Sequence, residues 1–404
     1  MTGKRSENTV SILLADAQRE THGSTAKLVP YKTLLTMTAA QYNLSKLQDK
    51  VVEMTATTNT FTESDFSSKE DGVMTQKQYE LLQFVTDDVL QPTIGLLGIA
   101  GNILSLVVFS QPQVKMASSI RVYLRALCVI DLVFLIFNLY ESMLELLTPV
   151  SPNTISMLQA FSKKYEQPFQ KGLRGSSTFM VVIIAFERFF AISLPMSANK
   201  SCLKRYPYLP IALVLLFNFI FAIFFLVSFD PLELPDGSWA VIKTTIGKSD
   251  FLRVYGIIAE VSYLLIPMAL VSIFNVCTVC KLYVAKRKRQ HMTSTPSLSN
   301  NTQASRMLLG VALLFNVCIL PSFVVGFIQL IHPSWRQVAK QRLLLRSCFS
   351  VARLLSRLSS SANFFVYVMT SQKFCNALTG IVRKKARHKA SNSESTSLNS
   401  LAKY

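Results

Sequence analysis

Seven apolar blocks constrain this chain more than any other feature: Val89–Ser110, Val122–Leu147, Phe169–Leu194, Tyr208–Phe229, Val254–Val284, Met307–Ile331 and Leu343–Met369. A hydrocarbon core about 30 Å thick takes a helix of about 20 residues to cross it, and each block meets that length. In lipid every backbone polar group must bond within the protein, which leaves helices or a closed barrel as the spanning forms. Of the 404 residues 50% are hydrophobic and only 16% are charged, and the charges gather between the blocks. The expected fold is therefore an all-α membrane protein, a seven-transmembrane helix bundle. The third and seventh blocks contain interior arginines and score poorly on hydropathy alone, so these two rest on the motifs below.

A net charge of +19 would point to nucleic acid in a soluble chain. Here the basic residues flank membrane segments, where they set orientation, and no nucleic-acid partner is expected. Asp87 and Asp88 precede the first span, whereas Lys115, Arg121 and Arg125 follow it. This predicts a multi-pass plasma-membrane protein with its N-terminus outside. Alternation then puts Lys200, Lys204, Arg205, the run Lys286 to Arg289, and Arg383 to Lys385 inside. The connection before the seventh span breaks the rule, because Arg336, Lys340, Arg342 and Arg346 fall outside. All seven cysteines lie in spans or on the inner side, so no outer disulfide is expected.

Residues 1–86 are rich in Thr, Ser, Gln and Lys and lack periodicity, as in a disordered outer tail. The apolar stretch Ile12–Ala15 is too short for a signal peptide. Asn43-Leu44-Ser45 is a glycosylation acceptor on the outer side. Residues 87–370 form the bundle. In residues 371–383, Phe374, Leu378 and Ile381 predict a short amphipathic eighth helix on the bilayer surface, followed by a disordered inner tail, 384–404.

Polar residues recur on single faces of the spans. The second carries Asp131, Asn138, Glu141 and Glu145; the third carries Gln170, Arg174, Ser177 and Arg188, with Lys171 adjacent; the fifth carries Glu260. On the seventh, Arg346, Ser350, Arg353, Arg357, Ser360, Phe364 and Tyr367 share a face, with Asn363 adjacent. An arginine at membrane depth costs about 3 kcal/mol unless paired, so these stripes face the bundle, where Glu141, Glu145 and Glu260 are available partners. Pro267 and Pro321 each remove a helix hydrogen bond and predict kinks. The histidines His22, His291, His332 and His388 are too scattered for a ligand set, and no phosphate loop or nucleophile elbow occurs. Cys277-x-x-Cys280 lacks a second pair and reads as helix packing. Neither an enzyme nor a cofactor is expected.

These residues resemble the rhodopsin-like (class A) G-protein-coupled receptors from about Thr93 to Ile381. Asn102 matches the first-helix Gly-Asn, Asp131 the second-helix aspartate, and Glu187-Arg188-Phe189 the Asp/Glu-Arg-Tyr motif. Pro267 and Pro321 match the prolines of helices five and six, and Asn363-x-x-x-Tyr367 the Asn-Pro-x-x-Tyr motif. The departures are Phe364 for the seventh-helix proline, Ile319 for the sixth-helix tryptophan, Phe189 for tyrosine, no fourth-helix tryptophan, and no cysteines for the outer disulfide. They resemble a divergent, invertebrate, peptide-type receptor more than an amine receptor, since Gln170 stands where amine receptors carry an aspartate.

The resemblance implies an extracellular ligand bound among the helices and a heterotrimeric G protein engaged at the inner end. Glu187, Arg188, Asn363 and Tyr367 would form the coupling switch, with Arg188 held by Glu187 alone. Asp131, Ser177 and Asn363 would line a sodium pocket. Glu141, Gln170, Lys171, Arg174, Glu260, Arg353 and Arg357 would line the ligand site. The basic excess there favours a peptide or other ligand with a negative charge. The alternatives are a receptor-like protein that no longer signals, which Ile319 and Phe364 would fit, and a membrane transporter.

Overall fold

The computed structural model describes residues 75–112, 114, 116–194, 202–289, 299–331, 339–381 and 383. Asn43 and the tail 384–404 lie outside them, as do the side chains of Glu260 and Cys202. Among the described residues, six helices are long and apolar enough to cross a membrane. They are Gln76–Ser110, Ser118–Leu147, Pro152–Ser193, Tyr208–Leu226, Asp250–Val284 and Leu308–Ile328. The seventh span, Ala339–Ser361 continued by Asn363–Thr370, fails that measure because of its arginines. The third passes it, contrary to expectation, because its apolar half beyond Arg174 supplies a full membrane thickness.

Two helices run furthest beyond their apolar blocks. The third begins at Pro152 instead of Phe169, nearly five turns earlier. That stretch is polar but contains good helix formers, and Pro152 at the first turn starts it without a lost bond. The first begins at Gln76, inside the stretch assigned by composition to a tail. Thr75 caps it reciprocally with Gln78, which satisfies two otherwise orphaned amides.

Spans one, two, three, five, six and seven close into a ring, each packing on the next, and the seventh returns to the first. The third is central, touching the second, fourth, fifth and sixth. The fourth packs outside the ring on the third, and only Asn218 and Ala222 of it are buried. Both expected prolines lie in helices. Pro321 is inside the sixth, and Pro267 follows a π-helical segment, Val261–Leu265, whose wider turn absorbs the missing amide. Pro168 lies inside the third helix as well.

A β-hairpin unforeseen in the sequence joins the fourth and fifth spans: β1 (Phe229–Glu233) pairs antiparallel with β2 (Trp239–Lys243). Its turn needs Gly237, whose φ is 77°. Asp236 accepts from the Ser238 amide (3.0 Å) and hydroxyl (2.7 Å), which holds its carboxyl below the usual range. The hairpin is fastened to the polar extension of the third helix. Lys164 pairs with Asp230, the Trp239 amide donates to Ser156 Oγ at 3.0 Å, and the Trp239 ring lies 5.5 Å from Phe161.

Candidate functional site

The ring encloses a cavity of about 730 Å³ near the hairpin end. Six of the expected ligand residues line it: Glu141, Gln170, Lys171, Arg174, Arg353 and Arg357. Glu260 lies next to the lining residue Ala259, with its own side chain outside the described residues. The bases of the wall, Lys163, Lys171, Arg174, Arg353 and Arg357, outnumber its acids, Asp87, Glu141 and Glu145.

The basic side chains are held by the protein itself. Arg357 Nε donates to Asn138 Oδ1 at 2.6 Å, and its Nη2 lies 3.7 Å from Glu141. Arg353 Nη2 donates to Asp87 Oδ2 at 2.9 Å and to Ser350 Oγ at 3.1 Å. Arg174 reaches Ser322 at 3.5 Å, and that hydroxyl donates to the Ala352 carbonyl at 3.2 Å, tying spans three, six and seven together. Lys171 sits 3.3 Å from the centroid of Phe225. Gln170 donates to Glu166 at 3.0 Å, and Ser162 donates to the other oxygen of that carboxylate.

Sequence reasoning used Asp87 only as an orienting charge. It is buried, on the π-helical segment Phe84–Leu90, and it lines the cavity. The signal was present: Asp87, Gln91, Gly98, Asn102 and Ser105 fall on one helical face, small or polar throughout on an apolar helix. All five are buried.

Beneath the cavity a space of about 20 Å³, room for about one water, is lined by Ser177, Ser359, Ser360 and Asn363 among others. Beside it Asp131 has no solvent exposure. It accepts from Ser177 Oγ at 2.7 Å and from Asn363 Nδ2 at 2.9 Å. Asn102 instead donates to the Gly98 and Ser360 carbonyls, at 2.9 and 3.0 Å. Asn363 opens the inner segment of the seventh span after a turn at Ala362, so that span breaks at this motif although Phe364 replaces the family's proline.

At the other end, Glu187 acts on Arg188 through space and makes no hydrogen bond to it. Its carboxylate accepts from Ser119 at the start of the second span. Among the described residues no ion pair joins Glu187 to Arg188, and Glu187 Oε2 and Arg188 Nε have no hydrogen-bond partner. A residue adjacent on a helix points about 100° away, whereas Ser119 faces Glu187 across the helix interface. Tyr367 is fully buried, with its ring 5.1 Å from Phe109 and 5.6 Å from Phe374. Residues 372–381, which contain Phe374, are helical.

The clasp of Lys164 and Asp230 makes a first prediction. A reductant should leave any ligand response unchanged, since Cys128, Cys277, Cys280, Cys318, Cys348 and Cys375 are free. Reversing Lys164 to Glu should weaken the response, and adding Asp230→Lys should restore most of it. The effect is small, because the pair is partly exposed and screened by solvent. Failure of the double variant to recover would show that the hairpin is held by Ser156 and Phe161 instead.

Comparison with known proteins agrees with this architecture. An FMRFamide peptide receptor of Caenorhabditis elegans is 27% identical over 308 residues, 72% of this chain and 67% of that protein. The FMRFamide receptor of Drosophila melanogaster is 21% identical over 304 residues, 72% of this chain and 53% of the fly protein, so the chain spans about half of that relative. Neuropeptide receptor 15 of Caenorhabditis elegans is 22% identical over 327 residues, 72% of this chain and 87% of that protein. The model of the 7 transmembrane receptor (rhodopsin family) matches residues 101–367, from the first-span Gly101 to Tyr367. With its helical ring, and with Asp131 near the start of that match joined to Asn363 near its end, the chain belongs to the rhodopsin family of seven-transmembrane receptors.

Proposed function

We propose that this receptor sits in the plasma membrane with its N-terminus outside, binds a peptide in the cavity below the hairpin, and activates a heterotrimeric G protein at the Arg188 end. It performs no catalysis of its own. The observation that carries the reading is the cavity. At about 730 Å³ it lies in the upper half of the range of about 300–1,000 Å³ for ligand pockets, and most of the residues that line it carry hydrogen-bonding side chains. That wall suits a peptide end better than a lipid. The relatives named as FMRFamide and neuropeptide receptors support the same class.

The charge of the ligand follows from the pairing. Arg353 and Arg357, two of the bases whose excess favoured an anion, have Asp87, Asn138 and Glu141 as partners. A neutral, amidated peptide end asks for donors and acceptors and no counter-charge, so it fits this wall better than a free carboxylate. Cells carrying the receptor should respond to short amidated peptides at lower concentration than to the same peptides as free acids, by a second-messenger readout. A free acid more potent than its amide would restore the anionic preference. A response to amines or lipids and to no peptide would overturn the reading.

Asp131, Ser177 and Asn363 fit the cation that the family implies. Asp131 is a buried carboxylate that no basic side chain among the described residues pairs with, and a water-sized space adjoins it. Oxygen donors of this kind suit a hard cation, and sodium there would neutralise the buried charge. Replacing sodium by choline should raise agonist affinity about fivefold or more in the wild type and leave Asp131→Asn unmoved. An equal sodium response in both would remove the site.

A further inference from the structure

We propose that Asp87 is a specificity-determining residue: as a resident anion on Arg353, it lets the cavity accept a neutral amide end and turn away a carboxylate. This rests on the peptide reading above and names the group that selects the peptide's end. Asp87 is 5% exposed yet forms part of the cavity wall. Its carboxylate accepts from Gln91, Thr86, Ser350 and Arg353, so both oxygens are fixed. The Arg353 side chain is 53% exposed, so part of the guanidinium still faces the cavity. It offers N–H groups there with its charge already matched.

An entering carboxylate meets Arg353 only by displacing Asp87 from four bonds or by lying beside it, where two like charges share one cation. Glu145 lines the same wall and adds further repulsion. A primary amide avoids both costs. Its carbonyl accepts from the exposed N–H groups of Arg353, with no charge to desolvate. The π-helical segment Phe84–Leu90 holds Asp87 in this position. Losing its extra residue would rotate the carboxylate by about 100° away from the seventh span.

The test uses the purified full chain and two small probes, N-acetyl-phenylalanine and N-acetyl-phenylalaninamide. It reads the concentration of each that gives half the maximal rise in melting temperature. In the wild type the amide should act at about tenfold lower concentration than the acid. Asp87→Asn should abolish or invert that ratio, and Asp87→Asn/Arg353→Gln should lose the gain for the acid. Asp87→Ser serves as a second variant should the asparagine fail to fold. An unchanged ratio without Asp87, a gain for the acid that survives the loss of Arg353, or no shift by either probe in any form overturns the proposal. Signalling is not needed for this readout, so its failure is distinct from failure of the peptides to activate cells.

Discussion

Gly98→Val should strip the receptor from the cell surface, while Gly95→Val, one turn earlier on the same helix, should leave it there. A Cβ at Gly98 would lie 2.2 Å from Ser361 Oγ, 2.6 Å from Ser361 Cβ and 2.7 Å from Leu135 Cδ1. Those neighbours belong to two other helices, and both are buried, so neither has room to withdraw. At Gly95 an added Cβ meets nothing within 4 Å. Helices in a bilayer approach closely only where a small residue allows it, because lipid is as apolar as the core and gives no other drive to association. Overpacking by a methylene or two costs about 1–3 kcal/mol, and a branched side chain wedged between two helices takes the upper end or more. The first and seventh spans would separate at the turn that positions Asn363, so loss of coupling should accompany loss of stability. Surface labelling and the melting temperature of the purified protein check this. A Gly98→Val receptor with wild-type expression and melting point would mean that the first span does not meet Ser361.

The spans were legible because lipid leaves the chain no choice in its middle. Where the chain leaves the bilayer that constraint lapses. The polar extension Pro152 to Gln167 therefore gave no hydropathy signal although it is helical, and it carries Lys164, the anchor of the hairpin. The hairpin itself was hidden because Pro231 and the acids Asp230 and Glu233 argue against a strand, and an isolated two-stranded ribbon tolerates them only as an edge. Inward stripes brought six of the expected residues to the cavity wall, since buried polar groups on an apolar helix must face protein. Their partners were not legible. Periodicity gives a face but no depth, and it could not show that Asp87, nominally at the water boundary, sits level with Arg353 of the seventh span. The break at Ala362 without a proline was equally hidden, because Phe364 packs against Gly101, where an added Cβ would lie 2.9 Å from Phe364 Cβ.

Removing Glu141 should damage the receptor more than removing its partner Arg357, and removing both should damage it less than removing Glu141 alone. The asymmetry comes from burial. The Arg357 side chain is 10% exposed and that of Glu141 24%, so the base is the deeper partner. In Glu141→Gln the guanidinium keeps only the Asn138 oxygen at 2.6 Å, and it cannot shed its proton to escape the cost. Breaking a buried pair this way costs about 3 kcal/mol, the low end of the range, because Glu141 is partly wet. In Arg357→Gln the orphaned carboxylate takes water from the cavity or a proton, and Asn138 loses one bond, together about 1 kcal/mol. The double variant leaves no unmatched charge and should approach the stability of Arg357→Gln. Melting temperatures of the four proteins form a double-mutant cycle, and a coupling of about 3 kcal/mol is expected. Additive losses would mean that the 3.7 Å approach carries no energy. The same four proteins separate a structural role from a ligand role: if Arg357 serves the ligand alone, Arg357→Gln should lose peptide potency at an unchanged melting temperature. If it serves the helix network, stability should fall while the potency of the surviving receptors holds.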